Sequence, residues 1–143
     1  MNKTWVIVAE SSRARLFSVV AKNEALVEVE DMLNPASRMH ESELTADLPG
    51  RAYGSTGSGI KHSMEPKITP KDQATIDFAK MIAERVEKGR TTGELKSIIL
   101  ACSPKFLGIL RHYLSDETQK LVTRSIDKNL IEMPEAEIRA HLF

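Results

Sequence analysis

The sequence predicts a single α/β domain, one five-stranded mixed sheet with helices on its faces. Three observations predict it. Trp5–Ala9 and Ile98–Cys102 are short unbroken apolar runs, rich in β-branched residues. Such runs suit strands covered on both faces, because a half-covered strand would alternate apolar and polar. The first three strand-like runs follow one another across short turns, whereas the later ones alternate with helical stretches. A meander followed by crossover units gives a mixed sheet.

Trp5–Ala9 is the expected central strand, closed by the polar turn Glu10–Arg13. Arg15–Val20 reads as strand two and Ala21–Glu24 as a turn. Ala25–Leu33 alternates imperfectly, as an edge strand with one wet face does. That edge is also a candidate surface for homo-oligomer formation.

Asn34 to Thr69 is different in kind. It holds Gly50, Gly54, Gly57 and Gly59, four of the seven glycines, and few large apolar residues. It is expected to be a long loop, flexible at its glycine-rich centre, and loops of that length are usually functional or disordered.

Thr69-Pro70-Lys71-Asp72 marks a helix start, with Thr69 as N-cap and Pro70 in the first helical position. Phe78, Ile82 and Val86 recur at helical spacing, and Gly89 is the expected stop. Ser97–Cys102 is the fourth strand. Ser103-Pro104 is expected to cap the next helix as Thr69-Pro70 does, with Leu107, Leu110 and Leu114 as its buried stripe. Ser115 opens a short helix, Leu121–Ile126 is the last strand, and Pro134 begins a final helix packed through Ile138 and Leu142. Pairing the fourth strand with the first gives the order 3-2-1-4-5.

Composition narrows the function. The chain has 143 residues, one domain's worth, and 20 basic residues balance 20 acidic ones. Whole-chain charge therefore offers no pull on nucleic acid or acidic membrane. Cys102 is the single cysteine, so an intrachain disulfide and a four-cysteine zinc site are excluded. No apolar run approaches the ~20 residues of a membrane span, so no membrane insertion is expected. Trp5–Ala9 is shorter than the ~7–15 residues of a secretory h-region, and charges follow directly, so a cytoplasmic protein is expected.

The order 3-2-1-4-5 is shared with the ribonuclease H-like fold, and two-metal hydrolysis there would need carboxylates clustered at the central strand. Trp5–Ala9 carries none. Glu10, at its end, is expected to answer Arg13 or Arg15. Gly54–Lys61 misses the phosphate-loop pattern, because Ile60 separates Lys61 from the last glycine. His40, Glu41, His62 and Glu65 match no zinc spacing. No cofactor, metal or catalytic residue is predicted, and Cys102 is expected in the core. The candidate binding residues are Glu10, Ser12, Arg13, Arg15, Arg51, Lys61, His62 and Lys105, at strand-end turns or in the loop, where the cations can gather into an anion-binding surface.

Several stretches also resemble one bacterial family. These are Trp5–Ala9 with Ser12-Arg13-Ala14-Arg15-Leu16-Phe17, then Asp47–Arg51, Gly57-Ser58-Gly59 and Lys61–Pro66, then Pro104–Arg111 and Pro134–Leu142. The chain is identified on them as resembling the host attachment protein family, named for a requirement in attachment of bacteria to host cells. That family is similar in fold to the middle domain of eukaryotic and archaeal release factors and Pelota-like rescue proteins. The long loop and the absence of a catalytic constellation point to a non-enzymatic cytoplasmic accessory protein that supports attachment indirectly, using the Asn34–Thr69 loop to engage a protein partner; the fold resemblance implies, alternatively, a ribosome- or RNA-associated factor. Release factors carry a Gly-Gly-Gln tip; here Gln73 and Gln119 lie outside the loop, so peptidyl-tRNA hydrolysis by that route is not expected.

Overall fold

The computed structural model describes residues 3–21, 24–36 and 68–143. Five strands, β1 (Thr4–Ala9), β2 (Arg13–Val19), β3 (Val27–Leu33), β4 (Ser97–Cys102) and β5 (Val122–Ile126), form one sheet in the order β3-β2-β1-β4-β5. Among the described residues the helices α1 (Pro70–Thr91), α2 (Pro104–Tyr113), α3 (Asp116–Lys120) and α4 (Glu135–Leu142) accompany them. β1 pairs antiparallel with β2 and parallel with β4, so the expected mixed sheet and its order are those observed.

β1 is central because its side chains are apolar on both faces. Trp5, Ile7 and Ala9 join Leu16, Ile98, Leu100, Phe78, Ile82, Val86 and Phe106 on the face covered by α1 and α2. Val6 and Val8 join Phe17, Ile99, Ala101, Leu130, Ile131, Ile138 and Leu142 on the face covered by α4. β3 lies at the edge, as its alternation predicts, with Val27, Val29 and Leu33 exposed. Leu16 pairs with Glu30 and Phe17 with Glu28, which leaves Val29 as an extra residue in a bulge. That bulge is why the alternation of this strand is imperfect.

Two local expectations need correction. α1 does not stop at Gly89; it continues to Thr91, and Gly93, with φ +79°, follows its end. Gly89 is inside the helix because a Cβ there would lie 2.8 Å from Trp5 Cη2. The small residue lets the helix sit down on the tryptophan ring, so a tertiary contact and not a stop signal explains it. α2 buries Phe106 and Leu110, and Leu107 is only partly buried. The stripe is therefore turned by one residue at its start.

Candidate functional site at the carboxyl end of the sheet

β1 and β4 are parallel neighbours, but the chain leaves them in opposite directions. After Ala9 it turns back into β2; after Cys102 it enters α2 and proceeds toward β5. This divergence at the carboxyl ends of parallel strands is where open α/β sheets form ligand crevices. Here it is bounded by the Glu10–Arg13 turn, the start of α2 and the start of α1.

The turn is closed by the Glu10 amide donating to the Arg13 carbonyl at 2.9 Å. The Glu10 carboxylate accepts from the Ser12 amide at 3.3 Å and from the Ser12 hydroxyl. Glu10 therefore answers Ser12 inside its own turn, not Arg13 or Arg15 as the sequence suggested. Both arginines project from β2 toward β3 instead. Arg13 meets Asp31 through Nε at 3.0 Å and Nη2 at 2.5 Å, and this hydrogen bond holds the Asp31 carboxyl below its ordinary value. Arg15 pairs with Glu28 at 3.3 Å and donates to the carbonyls of Met133, at 2.9 Å, and Ile131, at 3.2 Å. Its role is to tie the segment before α4 to the sheet.

Among the described residues Arg85 and Arg90 are also committed to ion pairs, with Glu30 and Glu94 and with Glu87 respectively. Arg111 donates to the Ser125 hydroxyl and Arg124 to the Leu142 carbonyl. Arg13 and Arg15, expected to contribute to an anion-binding surface, are thus consumed by structure. Lys105 makes no ion pair or side-chain hydrogen bond with a described residue. It lines a cavity of about 490 Å³ with Ser11, Ile68, Lys71, Asp72, Thr75, Ile76, Ser103, Phe106 and Ile109. Arg51, Lys61 and His62 lie outside the described residues, as does most of the Asn34–Thr69 stretch.

Two polar features of this end differ from, or go beyond, the sequence reading. Thr69 caps α1 as expected, accepting from the Asp72 amide at 3.0 Å, but Ser103 makes no side-chain capping bond to α2 despite the same following proline. Asn34, one of two buried polar residues among those described, donates to the Ser11 carbonyl at 3.0 Å and the Ala74 carbonyl at 3.2 Å. Lys71 was missed too, because nothing local in a helix's first turn announces that it will line one cavity with Lys105.

On the opposite face of the sheet, Glu10, Glu132 and Glu137 line a separate, more open cavity with Asn129 and Met133. Among the described residues no group of three or more His, Cys, Asp or Glu is placed to hold a metal ion. No described helix is long and apolar enough to cross a membrane. The buried Cys102 thiol is pushed up to about 12 by burial, as befits a core position.

Fold and site together define an open α/β sheet protein with a polar-rimmed crevice at its carboxyl end. Over residues 5–142 the chain matches the model of the family described as "Protein required for attachment to host cells", and it belongs to that family. A curated relative, an uncharacterized protein of Rickettsia prowazekii (strain Madrid E), is 31% identical over 70 residues, 48% of this chain and 47% of that one. The chain thus matches about half the length of that relative. Among solved structures, an archaeal protein matches at a TM-score of 0.52 with 14% identity, over 98% of this chain and 34% of that one. The archaeal translation termination factor matches at 0.49 with 14% identity, over 98% of this chain and 37% of that one. The chain spans about a third of each solved structure.

Proposed function

We propose that the protein serves attachment to host cells as a non-enzymatic binding protein, acting from the cytoplasm and engaging a protein partner at the carboxyl end of its sheet. The observation that carries this reading is the convergence of Asn34 and Ile68 beside Ser11. Asn34 is bonded to the Ser11 carbonyl, and Ile68 shares a cavity wall with Ser11. The chain therefore departs from the core and returns to it at the end where the Glu10–Arg13 turn and the start of α2 also lie. A reducing compartment suits Cys102, the single cysteine.

The test compares attachment by a strain lacking the protein after complementation with two variants. Ser11→Glu/Lys105→Glu alters the carboxyl end, and Lys96→Glu/Lys120→Glu alters the amino end. Loss of attachment with the first and not the second, at equal protein level, is the expected result. Equal attachment with both would refute the location.

A ribosome- or RNA-associated role is the second reading, favoured by the two cations Lys71 and Lys105 at one cavity. Its test is cosedimentation of purified protein with ribosomes at two salt concentrations. Phosphate contacts require binding that weakens as salt rises.

A further inference from the structure

The cavity between the starts of α1 and α2 is lined by two kinds of side chain. Ile68, Ile76, Phe106 and Ile109 are apolar, whereas Lys71, Lys105 and Ser103 are polar. Neither lysine makes an ion pair or side-chain hydrogen bond with a described residue, in contrast to Arg13 and Arg15 at the same end. Asp72 is the one carboxylate among the described lining residues, so the lining there carries two positive charges to one negative. The cavity's volume, about 490 Å³, lies within the ~300–1,000 Å³ common for small-molecule sites.

We infer that this cavity binds a small organic anion, a carboxylate or phosphate head carried on a short apolar body. The head would lie against Lys71 and Lys105, where it replaces water around two cations that no described carboxylate pairs. The body would lie on Ile76 and Ile109, where its removal from water supplies most of the affinity. A compact inorganic anion uses only the lysine side and a neutral alcohol only the apolar side. Both sides are needed, so recognition requires the two parts in one molecule. Because α1 and α2 each contribute one lysine and part of the apolar wall, the ligand also bridges two elements that otherwise meet through Phe78 and Phe106.

Calorimetric titration of the full chain tests this with four probes: octanoate, octyl phosphate, octanol and inorganic phosphate. Saturable binding of octanoate or octyl phosphate with Kd below ~1 mM is expected, and at least a tenfold weaker response to the other two. Whichever of the two amphiphiles binds better identifies the head group. Lys71→Met and Lys105→Met keep the aliphatic stem and remove the charge; each should weaken binding about threefold or more, with the melting temperature of the free protein unchanged. Lys128→Met, at an exposed position after β5 that does not line the cavity, should leave binding as it is. Absence of saturable binding by either amphiphile, or binding indifferent to both lysines, overturns the inference. This outcome is separable from the attachment reading, because the titration uses purified protein with no partner present.

Discussion

The side-chain amide of Asn34 joins the Ser11 carbonyl at 3.0 Å to the Ala74 carbonyl at 3.2 Å. One buried side chain thereby holds the end of β3, the β1–β2 turn and the first turns of α1 in fixed relation. Its Oδ1 accepts from the Ala36 amide at 3.1 Å, so both ends of the amide group are used. Asn34→Ala would remove the bonds to the Ser11 and Ala74 carbonyls, both part-buried, and leave the cross-links between β3, the turn and α1 unmade, at about 1–3 kcal/mol. A thermal melt should show a clear loss of stability. An unchanged melting temperature would mean that water replaces the amide without cost.

Gly89 offers a prediction in which two effects oppose each other. Alanine is the better helix former by about 1 kcal/mol. At this position, however, its Cβ would stand 2.8 Å from the Trp5 ring and 3.0 Å from Leu95 Cδ2. Trp5 is itself clamped, with Arg85 stacked over its ring. Overpacking of this kind costs about 1–3 kcal/mol, so Gly89→Ala should destabilise on balance. Pairing it with Trp5→Phe should recover part of the loss in a double-mutant cycle. Additive effects would contradict the contact.

Glu87 predicts an acid-sensitive clamp. Its carboxylate accepts from Arg90, from the Thr118 hydroxyl at 2.8 Å and from the Ser115 hydroxyl at 2.9 Å, tying α1 to α3. These bonds hold its pKa at about 2, below the ordinary 4.5. The folded state therefore takes up this proton less readily than the unfolded state. The contribution is complete above pH 4.5 and is lost as the pH falls toward 2. The side chain is 39% exposed, so solvent limits the effect to below ~1 kcal/mol. Melts of Glu87→Gln should fall less steeply than wild type between those two pH values. Parallel curves would dismiss the clamp.

Cys102 should be inert while the protein is folded. It is fully buried on β4, and its thiol, pushed up to about 12, forms almost no thiolate at neutral pH. Thiol reagents should label it at the rate of unfolding and not faster. Rapid labelling of the native chain would show that β4 opens locally.

The parts of the fold written in local sequence were legible before the structure. An unbroken apolar run identified β1 as the centre, and Thr69-Pro70 located the start of α1. What escaped depends on partners distant in sequence. Gly89 looks like a helix stop until Trp5 is placed beneath it. Ser103-Pro104 copies Thr69-Pro70, yet the serine hydroxyl does not cap. Arg13 and Arg15 look like turn cations, because local sequence does not give the register that sets Leu33 opposite Arg13 and Asp31 opposite Arg15, from which they reach diagonally to Asp31 and Glu28. Of the candidate site, Ser12, Glu10 and Lys105 were found at the carboxyl end, Lys71 and Asn34 were missed, and Arg51, Lys61 and His62 lie outside the described residues.

The account turns on the carboxyl end of the sheet as the surface that serves attachment. Attachment to host cells by a deletion strain carrying Ser11→Glu/Lys105→Glu, beside one carrying Lys96→Glu/Lys120→Glu, measures this most directly. The account predicts that the first strain attaches as poorly as the deletion itself while the second matches wild type, with both variants melting as the wild-type protein does. Wild-type attachment by the first strain would contradict it.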